Sequence, residues 1–277
     1  MNTTQAIFTL SAFGDEIADD LETQLDVLAA EGLAALELRA AWGQNILDLP
    51  QAQLARAATL LRARGFQVSA IGSPIGKSPL DAPRAFELER LERAIAAADV
   101  LGTRSIRVFS FYVDADAHAA CRDEVLARME LLAERAARAG VILLHENEKH
   151  IYGDTPERCR DILATVGSPA LRMAFDPANF VQVGVAPLER AWPLLAEDTV
   201  HVHIKDALFA TGEVRPAGAG DGEIGGLLAA LAARGYRGFL TLEPHLAIAG
   251  PAGGFSGVEG MHTAVCALRA LLADLPG

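Results

Sequence analysis

The chain has 277 residues, 51% of them hydrophobic, and a formal net charge of −12 from 36 Asp and Glu against 24 Lys and Arg. That length suits one α/β barrel of roughly 250 residues, and the acidic balance, without any Lys/Arg-rich run, disfavours nucleic acid as a partner. Cys121, Cys159 and Cys266 lack CxxC spacing, which argues against disulfides or a thiolate zinc site and for a reducing cytoplasm, and no run reaches the roughly 18 apolar residues of a membrane span.

From the N-terminus, where no basic residue precedes Arg39 and no secretory signal is expected, hydrophobic period and breakers alternate to the end of the chain. Strands are predicted at 6–13, 33–39, 67–73, 104–111, 141–147, 171–177, 200–206 and 238–244. Helices are predicted between and after them, at 19–31, 51–64, 83–101, 121–139, 156–166, 187–195, 225–234 and 257–273. Gly32, Gly65, Gly102, Gly140 and Gly167 stand where left-handed helix stops belong. Eight βα units with no second domain left over predict a single (β/α)8 TIM barrel over 1–277. The longest irregular stretch, 207–224 (ALFATGEVRPAGAGDGEI), follows the seventh strand, where a long loop is expected to serve function. Its glycines suit a mobile lid or an anion nest equally.

Four of the later strands end in metal-capable side chains: Glu146 in VILLHENE, Asp176 in LRMAFDPANF, His203 in VHVHIKD and Glu243 in FLTLEPH. They lie 30, 27 and 40 residues apart, about one strand-loop-helix-loop unit each. In a parallel barrel the carboxyl ends of all strands gather at one mouth, so the four converge if they share the inward phase. Three carboxylates and one imidazole make a hard, anionic donor set. One divalent cation is its natural content, Mn²⁺, Mg²⁺ or Co²⁺ ahead of Zn²⁺.

Each member has an ordinary structural alternative. One of Glu146 and Glu148 is open to being a solvated loop carboxylate, and Asp176 before Pro177 suits a turn or helix cap. One of His201 and His203 belongs to a packed layer below the mouth, and Glu243 has the option of pairing with an arginine. Four independent accidents at the same strand end explain the pattern poorly.

The motifs HENE at 145–148, FDPANF at 175–180, HVHIKD at 201–206 and LEPH at 242–245, with SPIGK at 73–77 and IRVFSF at 106–111, resemble the sugar phosphate isomerase/epimerase family with the xylose-isomerase-like barrel. That family includes ketose 3-epimerases, inosose dehydratases and isomerases and, more distantly, endonuclease IV. The resemblance implies that Glu146, Asp176, His203 and Glu243 are metal ligands and that Glu146 and Glu243 form an acid/base pair. It also implies a small sugar, keto-sugar or sugar acid as substrate, with proton transfer through a metal-stabilised enediolate. A dehydratase of the inosose type keeps the same machinery and is the alternative; a barrel that binds sugar without turnover is the third reading. Asn179 departs from the family, because endonuclease IV-like members and ketose 3-epimerases carry histidine there. The early strand ends also lack histidine, so a trinuclear nuclease site is not expected.

Around the mouth, Lys205 shares the phase of His203 and is expected to meet a substrate oxygen, as are Asn179 and His245. Glu37 and Arg39 are expected to bind substrate hydroxyls or to pair with each other. Arg107, charged in mid-strand, calls for a buried carboxylate partner, and Lys77 is a loop cation with the default of solvation. His145 alternates with Glu146 and should face the helices. A homodimer or homotetramer in the cytoplasm is the expected setting.

Overall fold

A computed structural model describes residues 8–246 and 256–275. Eight parallel strands form its centre: β1 Thr9–Ala12, β2 Ala35–Leu38, β3 Gln67–Ile75, β4 Ser105–Val108, β5 Ile142–Glu146, β6 Leu171–Phe175, β7 Thr199–Ile204 and β8 Phe239–Leu242. Their order is β1-β8-β7-β6-β5-β4-β3-β2, and a parallel bridge between Phe13 and Glu37 brings β1 back beside β2. Around them stand α1 Leu21–Ala30, α2 Gln51–Ala63, α3 Arg84–Leu101, α4 His118–Ala139, α5 Pro156–Val166, α6 Pro177–Gln182, α7 Trp192–Leu195, α8 Ile224–Ala233 and α9 Gly257–Ala273. This is the (β/α)8 TIM barrel that the alternation predicts. Residues 6 and 7 of the first predicted strand lie outside the described residues.

Local chemistry accounts for the boundaries. Asp20 caps α1 by accepting the Thr23 N–H, and Thr155 caps α5 by accepting from Arg158, with Pro156 in the first turn. All five predicted glycine stops adopt left-handed backbone, Gly102 with φ of 75°. Outward strand residues such as Leu36, Val108, Leu143, Met173, Phe175 and Val202 pack on Leu25, Leu91, Met129, Ile162, Leu227 and Leu268 of the helices in one apolar layer. Each such leucine contributes roughly 1.5–3 kcal/mol. A smaller cluster of Ala70, Leu144 and Ala174 shares the phase of Glu146 and Asp176 and so lies inside the ring. Beside it the interior turns polar, with Ser11 hydrogen bonded to Ser69 at 2.8 Å.

Three segments differ from expectation. Residues 177–182, read only as a strand end, form α6, because Asp176 accepts the Asn179 N–H and Pro177 occupies the first turn. Six residues are too few to show a helical period. The helix predicted at 187–195 is a π turn, Pro187–Ala191, followed by the short α7. Pro193 has no N–H to give to the Glu189 carbonyl, and its ring crowds that carbonyl, so a regular ladder cannot run through.

The stretch 207–224 is not irregular throughout, since Asp206–Ala207 pairs antiparallel with Val214–Arg215. Beyond that ribbon the buried Asp206 carboxylate accepts N–H bonds from Gly218, Gly220 and Gly222 at 2.9, 3.0 and 2.7 Å. A Cβ at Gly220 would lie 2.5 Å from Asp206 Oδ1, so only glycine lets the backbone approach this closely. The glycines form an anion nest, and its anion is the protein's own.

Candidate metal centre

Strands β5 to β8 deliver their last inward residues to one mouth. Glu146 ends β5, Asp176 follows β6, His203 lies in β7 and Glu243 follows β8. All four are buried, and each offers one ligand atom within 4.8 Å of those of the others. The structure thus brings together the four residues that the spacing singled out.

Asp176 divides its oxygens. Oδ1 accepts the Asn179 N–H at 2.9 Å and caps α6, while Oδ2 faces the cluster 4.0 Å from His203 Nδ1. Asn147, absent from the sequence reading, pins this strand end by donating to the Asp176 carbonyl at 2.8 Å and accepting its N–H at 3.0 Å. The Asn179 amide donates to Glu146 Oε1 at 3.2 Å and to the Asn147 carbonyl at 2.9 Å. Here Asn179 supports a ligand from the cavity wall.

Below the mouth, His203 Nε2 donates to Glu37 Oε2 at 3.1 Å, and its Nδ1 stands 3.2 Å from Glu146 Oε1. His201 is the packed layer underneath, 2.9 Å from the same Glu37 oxygen and 2.9 Å from the Thr241 hydroxyl. Arg107 finds the carboxylates it called for, Glu146 at 3.3 Å and Glu37 at 3.9 Å. Glu37, with 0% exposure, is closed off by these groups. The expectation that it meets substrate hydroxyls or pairs with Arg39 is therefore corrected.

Arg39 instead spans Asp15 at 2.7 Å, Glu16 at 2.9 Å and Glu243 Oε1 at 2.9 Å. Lys205 donates to Glu243 Oε2 at 2.9 Å and stands 2.9 Å from Asp176 Oδ2. Asp15 and Glu16 were missed, although GDE directly after the first strand is itself a strand-end carboxylate signal. Lys77 pairs with Glu148 at 3.2 Å. His145 faces outward as expected; it is fully buried, and neither ring nitrogen has a hydrogen-bond partner among the described residues.

These neighbours set the charge states. Burial works to neutralise Glu146, but His203 and Arg107 outweigh it and hold the carboxyl at about 2. Burial likewise opposes ionisation of Glu243, yet Lys205, His245 and Arg39 keep it well below the ordinary range. Asp176 moves the other way, to about 6, raised first by burial and then by Glu146 and Glu243 against the pull of Lys205. Burial is the largest of these effects, and Lys205 opposes it.

The residues fit a divalent cation. Glu146 Oε2, Asp176 Oδ2 and His203 Nδ1 are buried without an aligned hydrogen bond among the described residues, although Arg107 and Lys205 stand 3.3 and 2.9 Å from the two carboxylate oxygens; a shared cation would serve all three atoms. Three carboxylates and an imidazole suit Mg²⁺ or Mn²⁺. Over the cluster opens a cavity of about 780 Å³, lined by the expected Asn179, Lys205 and His245 and by Lys149, Gln182 and Arg215, which the sequence did not flag. His245 holds a left-handed backbone, φ 47°, with Nδ1 3.5 Å from Glu16; such strain in a non-glycine residue is common at binding sites.

Residues 25–256 match the family described as xylose isomerase-like TIM barrel. A curated relative from Actinoplanes, 2-epi-5-epi-valiolone 7-phosphate 2-epimerase, is 31% identical over 141 residues, 51% of this chain and 50% of that protein. The match thus spans about half the length of the relative. The probable 3-DHS dehydratase AsbF of Bacillus anthracis superposes with a TM-score of 0.76 at 18% identity, over 94% of this chain and 98% of its own. A xylose isomerase-like barrel of Mycobacterium smegmatis, solved in complex with magnesium, superposes with a TM-score of 0.68 at 17% identity, over 95% and 97%. No helix among the described residues is long and apolar enough to cross a membrane.

Proposed function

The chain belongs to the xylose isomerase-like TIM barrel family, and from that premise we propose that it is a divalent-cation-dependent isomerase or epimerase of a small sugar, keto-sugar or sugar acid. One observation carries the reading: three carboxylates and an imidazole converge at the barrel mouth beneath a cavity lined by Lys149, Gln182, Lys205 and Arg215. The magnesium of the Mycobacterium smegmatis barrel and the name of the Actinoplanes relative support it.

When bound, the cation supplies Lewis-acid polarisation of the substrate carbonyl and lowers the cost of the enediolate charge. Glu146, beside the Arg107 guanidinium at 3.3 Å, is the base toward the adjoining carbon. Glu243, steadied by Arg39 on one oxygen and Lys205 on the other, handles the proton on the second face. Epimerisation needs both faces, whereas aldose-ketose isomerisation needs only a shuttle. Lys205, at the cavity floor, donates to the developing oxyanion.

Elimination is the second reading, favoured by Lys205 as a buried ammonium lining the cavity, a group able to protonate a departing hydroxyl. Incubation with Mn²⁺ and candidate keto-sugars in D₂O tests both. Deuterium should wash in beside the carbonyl, and Glu146→Gln or Glu243→Gln should slow that exchange by roughly 10²-fold or more. A stable dehydrated product would move the assignment to a lyase. No wash-in with any sugar that binds would refute turnover altogether.

A further inference from the structure

We propose that Glu37 is a positioning residue that decides which nitrogen of His203 is offered to the cation, and that His201 locks it in that duty. The inference rests on the reading of the cluster as a cation centre. One oxygen of Glu37, Oε2, lies between two imidazoles, 3.1 Å from His203 Nε2 and 2.9 Å from His201 Nε2. A carboxylate oxygen only accepts, and in the metal-free protein each ring nitrogen faces one, Nε2 facing Glu37 and Nδ1 facing Glu146; where a cation replaces the hydrogen of Nδ1, Glu37 keeps the one on Nε2 and leaves the Nδ1 lone pair to the cation. Nδ1 is the atom that faces Glu146 and Asp176, at 3.2 and 4.0 Å.

The support reaches a second ligand. Arg107 stands between Glu37 Oε1 at 3.9 Å and Glu146 Oε2 at 3.3 Å, so β2 and β4, which supply no ligand, orient two of the four. Phe13 closes the ring edge of His203 with its centroid 5.3 Å away. Glu37, His201 and His203 are also close enough together to hold an ion themselves. Their separations are those of hydrogen bonds, and Glu37 has no exposed surface. They form a scaffold beneath one cation.

Calorimetric titration of the metal-free protein with Mn²⁺ tests this, together with histidine ¹⁵N spectra of the Mg²⁺-loaded wild type. One cation should bind per chain, Glu37→Gln should weaken binding by about tenfold to a hundredfold, and His203 should carry its hydrogen on Nε2. Ser69→Ala, which removes a barrel-interior hydroxyl bonded to Ser11 and not to this scaffold, should leave the affinity unchanged. The tautomer is read in the wild type and stands even where Glu37→Gln does not fold. Unchanged affinity in Glu37→Gln, or a hydrogen on Nδ1, overturns the role of Glu37 alone. Two cations per chain overturn it in favour of a second site, and a wild type that binds no divalent cation sinks the functional reading as well.

Discussion

Asp176 shows how one side chain serves fold and site together, with Oδ1 capping α6 and Oδ2 turned into the cluster. The two readings that the sequence left open, cap or ligand, are not exclusive. Asp176→Asn keeps a capping oxygen and should retain wild-type stability in urea while losing cation affinity. Asp176→Ala should lose the affinity and also about 1 kcal/mol of stability. Equal stability in both variants would refute the capping role. His145 makes a separate prediction, because burial lowers its ring from 6.5 to about 4. Above pH 6.5 both folded and unfolded states are neutral there; below it the unfolded chain takes up a proton that the folded chain refuses. Stability should therefore fall with falling pH, by roughly 2 kcal/mol at pH 5. His145→Leu should flatten that part of the pH profile in denaturant titrations, and an unchanged slope would exclude His145 as the cause.

Among the elements, those with a long period were legible and those without one were not. The strands and most of the helices announce themselves through apolar spacing, whereas α6 has only a cap and a proline, and the π turn arises from one proline in an otherwise helical stretch. The segment after β7 is the clearest case. Its glycines left lid and nest open, and the buried Asp206 carboxylate decides for a nest that carries Arg215 to the cavity. Gly220→Ala forces a Cβ to 2.5 Å from Asp206 Oδ1. That variant should be cut faster by protease within 208–223 and should show a raised KM, with Mn²⁺ affinity unchanged because no ligand moves. Wild-type proteolysis rates would show that the nest does not hold this loop.

For the molecule as a whole, the ligands come from four adjacent strands, β5 to β8, half of the ring. A cation bound there ties those strands together only in the folded state, so it must stabilise the barrel by mass action. Mn²⁺ at a hundred times its Kd should add about 2.7 kcal/mol, read as a rise in Tm over the protein in EDTA. Glu146→Gln should reduce that rise. A Tm indifferent to Mn²⁺ in the wild type would contradict the metal centre.

What the sequence determined by itself was whatever is periodic or local. Strand alternation, helix period and glycine stops specify the barrel, and the parallel barrel then sends Glu146, Asp176, His203 and Glu243 to one mouth, because every strand ends at the same side. Only the tertiary structure decided what holds those four. Glu37 meets His201 across 164 residues, and Arg39 meets Glu243 across 204. No local pattern marks such pairs: a buried charge takes its partner from whatever the closed ring places beside it, and ring closure brings the first strands against the last.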